Sequence, residues 1–392
     1  MISKKIILPS ILLTTFSLIP LYIFTLINLV FFKSHLDYKN PTIERRKIEQ
    51  DMPQIIEAAK KGYLPFFNPL SLRNYFLDTT LFPVGGLPYT QTYFCNEGYG
   101  LQTYKSDRLG LRNIDSNWDQ VKNKGATFFV GDSYVHGACV EEKWTITSIV
   151  EKMTGENILN IGASANTPYE YVGAIKGIVS PVIKEFPDQK INVALVFYDN
   201  DNVAYLKAID NLSNKARRII KKLPEGSIVP TQEYLNKLNQ VIKTNFPLDQ
   251  EGVVNAISKP SKKSFKQFFA YKFFTLMPLR QRIKAFIAII KDNEVNPTTK
   301  SINLLKKVCL PSSNCNPYII YIPSSKIWSR QPSSNFYRLS LKKLSEENNI
   351  QFIDGSMVID RNSLDDFAIR GNHLSPKGYV KIAELYAKET RK

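Results

Sequence analysis

Five short apolar runs recur along the chain, and each one closes on a polar cluster. Residues 126–130 lead into Gly131-Asp132-Ser133, 157–161 into Gly162, and 191–198 into Asp199-Asn200-Asp201. Residues 317–322 lead into Pro323-Ser324-Ser325, and 349–353 into Asp354. Helical stretches near 144–154, 167–186, 332–348 and 376–390 lie between or after them. This alternation predicts an α/β fold, a doubly wound parallel five-stranded sheet. Each polar cluster then falls at the C-terminal end of a strand, where open α/β sheets hold their sites.

The alternation breaks between the third and fourth runs. Residues 203–308, punctuated by Pro224, Pro230, Pro247 and Pro260, read as a mainly helical insertion on the working face. The 392-residue chain carries a formal charge of +17, and this segment, with 20 Lys+Arg against 7 Asp+Glu, holds most of it. Within 262–290, Phe265, Phe268, Phe269 and Phe273 fall at helical spacing among lysines. A helix lying in an anionic membrane interface has that make-up. So does a basic-faced helix packed on its own domain. Nucleic acid is not an expected partner, because no nucleic-acid-binding motif accompanies the charge.

The start of the chain also stands outside the alternation. Lys4 and Lys5 precede 27 residues, 6–32, with no charge. A bilayer span needs about 20 apolar residues, and kinks at Pro9 and Pro20 are tolerated in a spanning helix. The run ends Leu29-Val30-Phe31-Phe32-Lys33, without the small residues of a cleavage site, so 1–33 is expected to be an uncleaved anchor. Lys33, Lys39, Arg45, Arg46 and Lys47 follow it, and the positive-inside rule would hold the rest of the chain in the cytoplasm. A long domain behind a short basic N-terminus is commonly exported, which is the opposite arrangement. The cysteines bear on this. A Cys309–Cys315 bridge would close a short polar loop, and Cys95–Cys139 would form a second bridge close to Ser133. Even pairing suits an oxidising compartment, four buried thiols being the alternative. The expected location is the cytoplasmic membrane, single-pass, with the main domain on the outer side. No C-x-x-C pair is present and no metal site is expected.

The chemistry-bearing residues lie at the strand ends. On the turn after the first run, Gly131-Asp132-Ser133 lifts a serine hydroxyl into the open, and a free serine needs a base within hydrogen-bond reach to act as a nucleophile. The chain holds only three histidines, His35, His136 and His373. His373, before the last helix, is the candidate base. His136 shares the serine's own turn and reads as structural or pocket-lining, and His35 has no partner in view. The amides of Ser133 and Gly162 and the side chain of Asn200 are the candidate donors to a tetrahedral oxyanion.

In this order, Gly131-Asp132-Ser133, Gly162, Asn200 and His373-Leu-Ser-Pro-Lys-Gly378 resemble the SGNH (GDSL-type) hydrolase superfamily, and the chain is similar to its membrane-anchored bacterial members. Asp107-Arg-Leu-Gly110-Leu-Arg112-Asn113 also resembles a stretch common in them. The resemblance implies a flavodoxin-like sheet with Ser133 as nucleophile, His373 as base, and Ser133, Gly162 and Asn200 as oxyanion donors. It also implies cleavage or transfer of acyl esters, often acetyl groups on envelope carbohydrates, without a cofactor. Two positions depart from the pattern. Tyr198-Asp199 stand where a glycine precedes the asparagine, which would make the hole narrower or more negative. Arg370 and Gly371 stand where an aspartate usually precedes the histidine. The remaining acceptors for the imidazole are Asp365, Asp366, a backbone carbonyl or the amide oxygen of Asn372.

The expected organisation is an anchor at 1–33, an extension and linker at 34–120, the first part of the catalytic domain at 121–202, the basic insertion at 203–308 and the second part at 309–392. The expected function is a membrane-anchored serine esterase or O-acyltransferase acting on an envelope or extracellular glycan or another small ester. Transfer would need an acyl donor, for instance from a partner protein. The alternative is a weakened domain of the same type that binds or assembles glycan, motivated by the missing acid.

Overall fold

The computed structural model describes residues 41–67, 84–199, 297–328 and 334–391, with isolated positions such as Asp201 and Val241 between them. Its centre is a sheet of five parallel strands: β4 (Ala126–Gly131), β5 (Ile158–Gly162), β6 (Ile191–Tyr198), β7 (Cys315–Ile322) and β8 (Gln351–Asp354). Their spatial order is β5-β4-β6-β7-β8. Counted within the sheet this is the flavodoxin-like order 2-1-3-4-5, whose crevice opens where the winding reverses, between β4 and β6.

Every residue of β4, β5 and β6 is buried, which is why these strands read as mostly apolar runs, broken only by the buried polar residues Thr127, Asn160 and Asn192. Side chains still alternate between the two faces. Phe128, Val130, Val193, Leu195 and Phe197 enter one core, and Phe129, Ala194, Val196 and Tyr198 enter the other. The first core is covered by α5 (Pro168–Ala174), α7 (Pro297–Cys309) and α8 (Ser334–Glu347). A π turn, Ile175–Val179, carries α5 on into α6 (Ser180–Glu185). The second core is covered by α4 (Ile146–Thr154) and α9 (Pro376–Thr390), which pack on each other. Caps fix where these helices begin. Thr145 accepts the Ser148 amide for α4, Thr167 and Glu170 form a reciprocal capping box for α5, and Ser375 accepts the Gly378 amide for α9, with Pro376 next.

The segment expected as extension and linker is folded over its described part. Helix α1 (Pro41–Lys60) lies against a small sheet of β1 (Leu64–Pro65), β2 (Gln91–Tyr93) and β3 (Thr103–Lys105), through Ile55, Ala58 and Tyr93. Helix α2 (Ser116–Lys124) then leads into β4.

One described element falls inside the segment expected as the insertion. Helix α7 lies inside the expected 203–308 segment, yet Ile302, Leu305 and Cys309 are buried in the first core, so 297–309 is the crossover from β6 to β7. Residues 6–32 and 262–290 lie outside the described residues, and so does the membrane contact expected of each. Among the described residues no helix is long and apolar enough to cross a membrane.

Candidate active site

Ser133 opens α3 (Ser133–His136), a single turn that starts where β4 ends. Asp132 caps it, accepting the Tyr134 amide at 2.9 Å. The motif glycines work sterically. A Cβ on Gly131 would collide with Val135, and one on Gly162 with Val135 and the His136 amide, so both let α3 sit directly on the strand ends. Burial pushes the Asp132 carboxyl up to about 6, against the Tyr134 N–H and the charge of His373.

His373 arrives from the other end of the domain. Ser375, Pro376 and Gly378 start α9, and a Cβ on Gly378 would collide with the Asp366 carbonyl. The loop ahead of the helix is pinned. The Tyr134 hydroxyl donates to the Asn372 carbonyl at 2.5 Å, Asn372 Nδ2 donates to Tyr198 Oη at 3.1 Å, and the Ala368 N–H donates to the His373 carbonyl at 2.8 Å. Tyr134, the residue after the serine, therefore holds the histidine's loop.

Together these elements place His373 Nε2 at 2.9 Å from Ser133 Oγ. On the opposite ring edge, Nδ1 lies 2.9 Å from Glu97 Oε1, and the other Glu97 oxygen accepts the His373 amide at 3.3 Å. A carboxylate accepts only, so Nδ1 carries the proton and Nε2 is left to accept the serine hydroxyl. Ser133 is 7% exposed, and the His373 and Glu97 side chains are 16% and 14% exposed.

Glu97 corrects the expected source of a carboxylate. Asp365 is exposed and pairs with Lys377 at 2.9 Å. Asp366 is buried, pairs with Lys381 at 2.7 Å and accepts the Asp360 amide at 2.8 Å. Both help set the entry to α9, since the Ser375 hydroxyl donates to the Asp365 carbonyl and the Ser375 amide to that of Asp366. The structure brings neither onto His373. Gly371 explains why Glu97 fits, because a Cβ there would collide with the Glu97 carboxylate. The position that lacks an acid in sequence is the position that leaves room for one in space.

The expected oxyanion donors differ in what already holds them. Ser133 opens its helical turn, so its N–H has no intrahelical acceptor. The Gly162 amide is already used, donating to Asn160 Oδ1 at 2.9 Å. Asn200 lies outside the described residues. Asp199 does not add charge to a hole. Its carboxylate accepts Tyr321 Oη at 2.5 Å and the Ser324 amide at 2.7 Å, on the β7 side, and burial raises its pKa. Asp201 accepts the Tyr198 amide and the Tyr171 hydroxyl, and burial followed by repulsion from Asp132 holds it well above the usual carboxylate range.

His136 is a packing residue. Its Nδ1 accepts the Ser164 amide at 3.2 Å, Nε2 lies 2.9 Å from Tyr104 Oη, and its ring stacks on Phe94 with centroids 4.2 Å apart. Burial, then the Arg112 charge, holds it neutral, with a pKa well below the usual imidazole value.

The 107–113 stretch braces the same turn. Asp107 accepts the Leu109 and Leu111 amides, the Asn113 side chain and Trp118 Nε1. Arg112, fully buried, donates to the carbonyls of Gly137 and Val140 and pairs with Glu142. Asn113 exchanges hydrogen bonds with the backbone of Asn160 in β5. Both cysteine pairs are bridged, Cys95 to Cys139 and Cys309 to Cys315.

No protein-family profile and no curated protein matches the chain. Among solved structures, one similar chain is a protein from Desulfitobacterium hafniense ascribed to the G-D-S-L family as lipolytic. It is 10% identical, covers 67% of this chain and 98% of its own, and has a TM-score of 0.34. Another, from Slackia heliotrinireducens and ascribed to the SGNH hydrolases, is 8% identical, covers 68% and 98%, and has a TM-score of 0.34. Scores that low do not establish a shared fold.

Proposed function

We propose that the protein is an SGNH-type serine hydrolase that cleaves or transfers acyl esters. The observation that carries this reading is the hydrogen-bonded chain Ser133 Oγ–His373 Nε2 and His373 Nδ1–Glu97 Oε1, each link 2.9 Å. The Ser133 oxygen attacks the ester carbonyl while His373 Nε2 takes its proton, and Glu97 stabilises the imidazolium that forms. The negative oxygen of the tetrahedral intermediate lies against the Ser133 N–H. Collapse expels the alcohol, protonated by His373 Nε2, and leaves an acyl group on Ser133. Water then gives hydrolysis, and a sugar hydroxyl gives transfer. No cofactor takes part in these steps.

The substrate we favour is an acylated envelope or extracellular glycan, with the chain anchored through 1–33 and its catalytic domain outside the cytoplasmic membrane. Two disulfides support that location. The reading as a weakened, glycan-binding domain loses its motive once Glu97 occupies the acid position. The test is hydrolysis of small aryl acetates. Ser133→Ala is expected to lower kcat by about 10⁵-fold or more with the fold intact. Hydrolysis by that variant at the parental rate would remove Ser133 as nucleophile.

A further inference from the structure

Glu97 lies in no strand or helix. It belongs to the 94–102 loop between β2 and β3, which closes on itself through Phe94 N–H to the Gln102 carbonyl at 2.8 Å and Gln102 N–H to the Cys95 carbonyl at 3.0 Å. Outside the loop, Phe94 stacks on His136 and packs edge-on against Phe66, and hydrogen bonds add to these contacts. Asn96 Nδ2 donates to Asp51 Oδ1 at 2.9 Å, Leu101 N–H to Gln54 Oε1 at 2.8 Å, and Arg370 N–H to the Glu97 carbonyl at 2.9 Å. The one covalent tie is the bridge from Cys95, two residues before the acid, to Cys139, six residues after the serine. Cys139 Sγ, a Glu97 carboxylate oxygen and a His373 ring nitrogen all lie within 4.8 Å of one another. Cys139 itself is held at φ 66° in the turn whose carbonyls Arg112 binds. The disulfide therefore ties the acid's loop to the nucleophile's turn beside the imidazole. The second disulfide serves as an internal contrast. Cys315 begins β7, at the opposite end of the sheet from the site.

We propose, resting on the serine-hydrolase reading above, that the Cys95–Cys139 disulfide is a positioning element of the active site. It holds the Glu97 carboxylate on His373 Nδ1, so that hydrolysis falls when a dithiol reduces the bond. In that step two electrons and two protons pass from the dithiol to the protein. The dithiol closes to its own disulfide, and Cys95 and Cys139 become thiols. The acid's loop then keeps its hydrogen bonds and the Phe94 ring contacts but loses its covalent tie to the serine's turn, and the carboxylate spends a smaller fraction of time on the imidazole.

The experiment compares the full chain with Cys95→Ser/Cys139→Ser and with Cys309→Ser/Cys315→Ser, reading aryl-acetate kcat, KM and the pH profile, with folding checked by circular dichroism. The first double variant should lose about 10- to 100-fold in kcat with KM nearly unchanged. The acidic limb of its kcat/KM profile should move to lower pH, because an imidazolium without its carboxylate loses its proton more readily. Adding Glu97→Gln to that background should cost far less than it does in the parent. The Cys309/Cys315 variant should keep the parental kcat and profile. If the Cys95/Cys139 variant does not fold, the parent treated with dithiol under native conditions gives the same readout. Parental kcat in the reduced or substituted protein, or a full additional cost of Glu97→Gln, would overturn the inference and leave the Ser133 reading standing. A folded parent inert to aryl acetates and to fluorophosphonate would overturn both.

Discussion

The two halves of the site are held by different means. Ser133 and His373 each stand at the entry to a helix that packs on the sheet, with the caps Asp132 and Ser375 fixing where those helices start. Glu97 stands in a loop outside the sheet, held by a cross-link, an Asn96–Asp51 hydrogen bond and the Arg370 amide. A sheet end decides where a hydroxyl and an imidazole meet. The carboxylate behind the imidazole can come from any segment that ends there, provided the receiving loop leaves space. Gly371 leaves that space.

The largest effect expected from breaking this comparison is on the loop-borne half. Glu97→Gln should lower kcat by about 10⁴-fold, as loss of a triad acid does when geometry is kept, with KM and melting temperature near the parent. Next comes the space itself. Gly371→Ala puts a methyl where the Glu97 carboxylate lies and should cost about 10²-fold in kcat through misplacement alone. Moving the acid sharpens the point. Glu97→Ala/Gly371→Asp should recover about tenfold or more over Glu97→Ala, and no recovery would mean the glycine position does not face the imidazole.

The carboxylates beside the histidine in sequence should behave oppositely. Asp366→Asn leaves Lys381, whose side chain reaches solvent, without its charged partner and should destabilise the fold by about 1–2 kcal/mol, seen in denaturant unfolding. Its kcat per folded molecule should stay within about twofold of the parent. Asp365→Asn, on an exposed pair, should change neither. A kcat collapse in Asp366→Asn with stability intact would return the acid's role to that residue.

The smallest effect concerns His136. It is neutral in the fold, while in the unfolded chain it takes a proton near pH 6.5. Its contribution to stability is therefore complete above about pH 6.5 and is lost as pH falls below it. The melting temperature should drop between pH 7.5 and 5.5, and His136→Gln should flatten that drop by about one proton's worth of linkage.

Much of this was legible in the sequence, for physical reasons. Strands buried on both faces are mostly apolar, so β4, β6 and the inner part of β7 appeared as runs, and α9 appeared as the helical stretch 376–390. Ser133 and His373 followed from their places at strand and helix ends. Helix α7 was absorbed into the basic insertion because Lys306 and Lys307 share its sequence with the buried Ile302 and Leu305. The Gly162 amide was assigned to an oxyanion because nothing in a sequence shows that Asn160 would turn back to accept it. Glu97 was missed because its approach to His373 spans 276 residues and follows no periodic element. One signal did exist. A Cys95–Cys139 pairing, taken as given, puts Glu97 beside the serine's turn, and the acid-free Arg370-Gly371 then reads as a vacancy awaiting it.

The central claim is that Glu97, from outside the sheet, completes a reactive serine, and its most direct test is the rate of fluorophosphonate labelling mapped by mass spectrometry. The account predicts one adduct per folded chain, on Ser133, formed orders of magnitude more slowly in Glu97→Gln and at the parental rate in Asp366→Asn. A folded parent that stays unlabelled, an adduct elsewhere, or Glu97→Gln labelled as fast as the parent would contradict it.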